Sequence, residues 1–250
     1  MDLYIDVGNT ATKIGTYCNN KMVLRCVKRT ESYLNDDNSL DFNLSKDDMS
    51  SITRVAISSV VPSASKKLFN YFSFLKKEIY FISPTDDSGV KIEIDDVNEL
   101  GTDLLCDLAA GYKIYKSPLL IIDLGTVTKF LFIDKNGVFS TCSFIPGLEL
   151  TLKTLSKNTA LLPKIEVGSI NPLLDNHNTK DVIMASTYYS HIDTLNGMVK
   201  RYQKEVGYMF KVVITGGNLN LIKNDKELEF PFEIIEELCL QGIKIIMDRK

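Results

Sequence analysis

Two carboxylates in this chain stand where an apolar run meets a glycine turn. Asp6-Val7-Gly8-Asn9-Thr10 follows Leu3-Tyr4-Ile5, and Asp123-Leu124-Gly125-Thr126 follows Leu119-Leu120-Ile121-Ile122. A buried strand that ends in such a turn exposes backbone N–H groups able to receive an anion, and a carboxylate at the same point can hold a cation. Together they suit ATP and its metal. In the first turn Gly8 lets the backbone approach the phosphates, Asn9 and Thr10 offer side-chain hydrogen bonds, and Lys13 adds a positive charge. Asp6 is then the candidate holder of Mg²⁺ through water. For either motif alone, an Asx turn that merely ends a strand is the alternative.

Other chemistries find little support. Neither a Gly-x-x-x-x-Gly-Lys-Ser/Thr loop nor a Gly-x-Gly-x-x-Gly turn occurs, so the Asp turns must carry the phosphates. His177 and His191 are the only histidines and neither has a Cys or Glu at ligand spacing, which argues against a zinc site and a Ser-His-Asp hydrolase. The five cysteines are scattered and odd in number, the pattern of reduced thiols rather than of a disulfide framework.

The elements that must position the two turns repeat. Leu3–Val7, Thr12–Tyr17 and Lys21–Val27 read as three consecutive antiparallel strands, and Leu119–Leu124, Thr128–Asp134 and Val138–Phe144 repeat them, with Asp6 and Asp123 117 positions apart. Helices are predicted over Ser63–Lys77, Thr102–Tyr115, Leu148–Ser156 and Val182–Glu205, with a last one from about Phe232 and a strand at Lys211–Ile214 before Thr215-Gly216-Gly217. Leu34–Ser50 reads as a polar loop with one short helix. Strands in threes followed by helices, twice over, indicate an α/β chain of duplicated ribonuclease H-like fold, the actin and sugar kinase architecture. Its two domains, 1–116 and 117–250, are expected to leave an ATP cleft between them. In the long helical segment, Ile183, Met184, Tyr188, Ile192, Leu195 and Val199 form an apolar stripe read as an interface with a second copy.

Hydrophobic residues at 44% and charged residues at 24% are those of an ordinary globular protein, and a net charge of −3 offers no basic field for nucleic acid. No signal-peptide pattern and no apolar run long enough for a membrane span occurs, so a cytoplasmic protein without membrane or nucleic-acid partners is expected.

Eight segments stand in the order seen in type III pantothenate kinases, the Bvg accessory factor family: Asp6–Lys13, Ser58–Pro62, Gly101–Asp103, Asp123–Thr126, Ile145–Gly147, Asn158–Pro163, Asn178-Thr179 and Ile214–Gly217. The chain resembles that family over nearly its whole length. The resemblance implies ATP-dependent phosphorylation of pantothenate to 4'-phosphopantothenate, the first step of coenzyme A biosynthesis, with Mg²⁺ and K⁺ or NH₄⁺, in a homodimer. It implies Asp103 as catalytic base; read alone, that residue would only complement the positive end of a helix. Asp6, Val7, Gly8, Asn9, Thr10, Ala11, Thr12, Lys13 and Thr126 would contact ATP. Gly101, Thr102, Asp103, Leu104 and Thr179 would contact pantothenate, although Thr179 alone reads as surface. Asp123 would be the monovalent metal ligand. Gly216-Gly217 would admit a flat group on the adenosine side.

The substrate side departs from the family pattern. Leu104 stands where an Arg is usual, Ile94 and Val97 replace a Tyr and a Pro, and Thr141-Cys142-Ser143 replaces a pair of glycines. Pantothenate ends in a carboxylate that Arg could grip with two hydrogen bonds and Leu cannot. Lys129 stands where the family commonly has Thr and is the candidate to supply the missing charge; a lone Lys is otherwise a surface residue. The alternative function is a degenerate relative that acts as a binding or transcriptional accessory protein, against which stands the retention of Asp6, Asp103 and Asp123.

Overall fold

A computed structural model describes residues 1–34, 40, 42, 44–116, 118–222 and 226–250. Leu3, Tyr4, Ile5 and Val7 are all buried, so the first strand is apolar on both faces and has to be central in its sheet. Five strands make that sheet: β1 (Asp2–Val7), β2 (Ala11–Cys18), β3 (Lys21–Arg29), β4 (Arg54–Ser59) and β5 (Glu78–Phe81), in the order β3-β2-β1-β4-β5. β2 runs antiparallel to β1 and β3, whereas β4 is parallel to both β1 and β5. The edge strand β3 exposes Lys21, Arg25 and Val27, keeping charge on an edge that could otherwise pair with another chain.

β6 (Lys91–Ile92), β7 (Leu119–Leu124), β8 (Val127–Ile133), β9 (Val138–Pro146), β10 (Lys211–Thr215) and β11 (Glu233–Ile234) form the second sheet in the order β11-β10-β7-β8-β9-β6. Leaving out the two-residue β6, its order β9-β8-β7-β10-β11 repeats that of the first sheet strand for strand. The duplicated α/β fold expected from the sequence is therefore present. The helices are α1 (Thr30–Leu34), α2 (Lys46–Ser51), α3 (Pro62–Phe74), α4 (Thr102–Tyr115), α5 (Leu148–Lys157), α6 (Thr179–Val206) and α7 (Leu238–Met247). Residues 35–39, 41 and 43 of the expected polar loop lie outside the described residues.

Close packing divides the chain into two units. Met1–Ile121, Leu131–Thr141 and Glu237–Lys250 form the first, and Ile122–Phe130 with Cys142–Glu236 form the second. This grouping differs from a cut at residue 116: the C-terminal helix returns to the first unit, where Leu238, Leu240, Ile243 and Ile246 are buried. α7 packs on α4 and on β1, β2 and β4. A side chain on Gly242 would collide with the Cys106 backbone, so the two helices approach to contact distance only because this residue is glycine. α4 accordingly buries every residue from Leu104 to Gly111.

Two expectations are corrected. The last helix begins at Leu238 rather than near Phe232, because Glu233 and Ile234 pair in parallel with Val213 and Ile214 as a strand. The apolar stripe of α6 is buried inside the second unit, with Ile192, Leu195 and Val199 at 1% exposure or less, so it is core and gives no argument for a second copy.

The first unit's core runs from Leu3, Ile5 and Ile57 to Leu68 and Phe72, with the Phe72 ring stacked on Phe42 at 6.2 Å. Phe72→Ala should cost about 3–5 kcal/mol, and in a chain of this size lower the thermal midpoint by roughly 10 °C. Differential scanning calorimetry checks it, and a shift under a couple of degrees would mean the site refills.

Candidate active site

Asp6 sits one residue from the end of β1, half-buried, opposite Lys13 on β2 and beside Ser58 on β4. The turn that follows is pinned by a relay of hydroxyls. Thr30 Oγ1 donates to the Gly8 carbonyl at 2.7 Å, and Thr30 N–H donates to the Thr10 carbonyl at 3.0 Å. Thr12 Oγ1 lies 3.0 Å from Thr30 Oγ1 and 2.6 Å from Tyr33 Oη. Each hydroxyl has one proton, so the direction is fixed: Tyr33 donates to Thr12, Thr12 to Thr30, and Thr30 to Gly8. Burial raises the Tyr33 phenol above its ordinary pKa against the lowering effect of these bonds, which keeps it a donor.

The residues expected to meet ATP in this segment thus divide. Asn9 and Thr10 are exposed, Gly8 and Ala11 close the turn by a 3.0 Å backbone bond, and Val7 and Thr12 turn their side chains into the core. Thr12 is a support for the turn, a role its hydroxyl fills inside the fold. Lys13 Nζ lies 3.3 Å from Glu237 Oε2, at the start of α7. Burial alone would lower the Lys13 pKa, but Glu237 and Asp6 together overcome it and hold the ammonium above its ordinary value. Glu237 and Thr30 were missed by sequence reasoning; a carboxylate 224 positions away leaves no local signal.

Asp103 lies in the first turn of α4, half-buried, with Oδ1 accepting the Leu104 N–H at 2.9 Å. A Cβ on Gly101 would stand 2.5 Å from that oxygen, so the glycine is what lets the carboxylate take this position. Thr102 is buried and receives a 2.9 Å hydrogen bond from Ser58 Oγ, and Ser58 is the ladder neighbour of Asp6. Asp6 and Asp103 are thereby tied to one corner of the first unit through Ser58 and Thr102. Leu104 is 6% exposed and belongs to the core, so its side chain offers no substrate contact.

In the second unit the turn after Asp123 is held between two glycine segments. Gly147 N–H donates to the Thr126 carbonyl at 3.0 Å, and a Cβ on Gly147 would lie 2.7 Å from the same oxygen. Gly216, at φ +112°, packs so that a Cβ would lie 2.5 Å from Leu124 N and 2.6 Å from Asp123 Oδ1. Asn218 N–H donates to the Leu124 carbonyl at 3.0 Å. Gly216 is therefore explained by its own chain, while Gly217 faces open space. Thr126 is exposed at the tip. Lys129 Nζ is 2.8 Å from Asp123 Oδ2, so the structure puts this ammonium on the strand-end carboxylate.

Thr179 is the exposed first residue of α6, and Asn178 before it is that helix's cap, accepting the Asp181 N–H at 3.0 Å. A groove of about 430 Å³ in the second unit is lined by Pro146, Thr151, Ser186, Ser190, His191 and Thr194. Sequence reasoning missed it, although serine and threonine at 186, 190 and 194 recur once per turn. Burial lowers the His191 pKa, so the ring is neutral near pH 7. No three metal-binding side chains cluster among the described residues. Mg²⁺ needs no such cage, since one or two carboxylates with water and phosphate oxygens suffice, and Asp6 fits that requirement.

Comparison with known proteins places these features in a family. The family model described as type III pantothenate kinase matches residues 2–201. Type III pantothenate kinases of Geotalea daltonii and Desulforapulum autotrophicum are 31% and 33% identical, each matched over 100% of this chain and over 98% and 97% of their own length. Among solved structures, a Campylobacter jejuni protein assigned to the Baf family of transcriptional activators is similar with TM-score 0.55 and 15% identity, covering 99% of this chain and 98% of that one. The activator of 2-hydroxyisocaproyl-CoA dehydratase from Clostridium difficile is similar with TM-score 0.50 and 15% identity, covering 99% and 94%. These two structures speak to the fold.

Thr30→Val keeps the shape but removes the donor to Gly8 and the acceptor for Thr12. It should lower stability in urea unfolding by about 1–3 kcal/mol, the cost of leaving buried polar groups unpaired. Thr30→Ser should recover most of the loss; equal losses for Val and Ser would show that methyl packing and not the relay matters.

Proposed function

The chain belongs to the type III pantothenate kinase family, and from that premise we propose how its residues serve the reaction. The protein transfers a phosphoryl group from ATP to pantothenate, giving 4'-phosphopantothenate at the start of coenzyme A biosynthesis. The observation that carries the reading is the family match over residues 2–201, with relatives matched over the whole chain, together with Asp103 and Asp6 tied through Thr102 and Ser58.

Phosphoryl transfer passes through a loose transition state, so positioning and neutralisation of the phosphate oxygens dominate. We assign Gly8, Asn9 and Thr10 to the phosphates, with Lys13 as a fixed positive charge and Thr126 as a further nucleotide contact. Asp6 would hold Mg²⁺, which when bound neutralises phosphate oxygens. Asp103 accepts the proton of the pantothenate hydroxyl, and the half-buried Gly101 before α4 and the exposed Thr179 at the start of α6 are assigned to the substrate. The core position of Leu104 leaves the substrate carboxylate to a partner other than residue 104. K⁺ or NH₄⁺ does not fit Asp123, whose Oδ2 already meets the Lys129 ammonium at 2.8 Å, and no step runs through such an ion.

Residues 1–116 and 117–250 are proposed as the two copies of the duplicated domain, supported by the repeated strand order. A homodimer is proposed on different grounds from the α6 stripe: Phe144, Leu161 and Leu174 of the second unit are 56%, 93% and 94% exposed. Light scattering is expected to give about twice the chain mass of 28.1 kDa, and a single-chain mass at micromolar concentration would remove the dimer. A cytoplasmic location is proposed from the use of ATP; among the described residues no helix is long and apolar enough to cross a membrane.

Asp103→Asn keeps the shape and removes the proton acceptor. Turnover in a coupled ADP-release assay should fall about 10²–10⁴-fold, with ATP affinity unchanged. Near-full activity would take the role of base away from Asp103.

A further inference from the structure

Both halves carry a lysine on the strand that returns from the Asp turn, but the two lysines have different partners. Lys13 stands opposite Asp6 in the ladder and reaches to Glu237 at 3.3 Å, whereas Lys129 meets the strand-end carboxylate itself at 2.8 Å. The Lys129–Asp123 pair is mostly shielded, at 19% and 14% side-chain exposure. The other oxygen of Asp123 lies against the Gly216 backbone, where even a methyl group would stand only 2.6 Å away. The carboxylate is therefore covered on both sides by its own chain.

We propose that Lys129 is a built-in monovalent cation: its ammonium takes the place at Asp123 that a cation from solution would otherwise fill, so the protein works without K⁺ or NH₄⁺. A lysine ammonium offers the unit charge and N–H donors of an ammonium ion. Its tether holds it at a local concentration that dissolved ions must exceed, at least of millimolar order for a short flexible link. A second cation would also be repelled by the first. Without Lys129, Asp123 becomes a shielded carboxylate lacking its partner, a costly state that a dissolved cation would relieve. The inference rests on the kinase reading for its effect on rate and on geometry alone for its effect on binding.

The test compares the full chain with Lys129→Thr in potassium, ammonium and tetramethylammonium chloride at equal ionic strength. Wild type should show the same thermal midpoint and the same pantothenate phosphorylation rate in all three. Lys129→Thr should gain about 3–6 °C in potassium or ammonium over tetramethylammonium, the shift that about tenfold site loading gives a chain of this size. Its rate should fall about 10²-fold in tetramethylammonium, the scale of one lost electrostatic group, and recover in the other two salts. Saturable stabilisation or activation of wild type by K⁺ or NH₄⁺ would overturn the proposal, and so would a folded Lys129→Thr that answers to neither ion. Should Lys129→Thr not fold, Lys129→Met keeps most of the stem's packing and is read the same way. Absence of pantothenate turnover in every salt would sink the kinase reading, while the midpoints still decide the cation site.

Discussion

A strand that is apolar on both faces cannot carry a carboxylate in its interior, yet at its end it can present one beside a nest of backbone N–H groups. That presentation is useful only while the charge stays ionised, and near a low-dielectric core ionisation requires a compensating cation or hydrogen bonds. The two halves meet this constraint differently. Asp6 has Lys13 across the ladder, itself anchored by Glu237 from the C-terminal helix, so α7 must fold back onto the first sheet for the first turn to be complete. Asp123 needs no distant element, because Lys129 follows six residues later on the return strand. Ion pairs this shielded add little net stability. Their value here lies in fixing where the charge sits.

Rigidity of the turns is achieved by equally different means. The first is pinned by hydroxyls, from Tyr33 through Thr12 and Thr30 to the Gly8 carbonyl. The second is pinned by backbone contact, with Gly147 and Gly216 closing on residues 124–126. In both, the exposed residues, Asn9 and Thr10 in the first turn and Thr126 in the second, sit on a backbone that the chain itself holds in place, and fixed polar groups are those that contribute most to a charged transition state.

Much of this was legible in sequence, because apolar runs, glycine turns and strand triplets are local signals. The failures share a cause. The apolar stripe of α6 showed that the helix buries a face, and periodicity alone cannot say whether the cover is another chain or, as here, the same unit. Glu237 and Thr30 act at long sequence range and carry no motif. Phe232–Ile234 reads as helix or strand with equal ease until β10 offers a ladder for it. Lys129 shows the limit most clearly. Alternation along β8 puts Lys129 and Thr128 on opposite faces, but which face meets the carboxylate after a hairpin depends on turn length, and Asp and Lys are seven residues apart in the first hairpin and six in the second.

Leu104 and Lys129 can be weighed together. Against the family pattern the chain loses a cation after Asp103 and gains one on β8, so the number of positive charges is unchanged. Their places are not. The residue at 104 is a leucine packed in the core of the first unit at 6% exposure, where it presents no group to a substrate carboxylate. The ammonium at 129 is already compensated by Asp123, and a substrate carboxylate would have to share it with a carboxylate held closer by covalent connection. A shared ammonium is a weaker grip than an arginine fork with two aligned hydrogen bonds. The charge swap therefore accounts for the cation at Asp123 and leaves recognition of the pantothenate carboxylate to hydrogen bonds or cations outside these two positions.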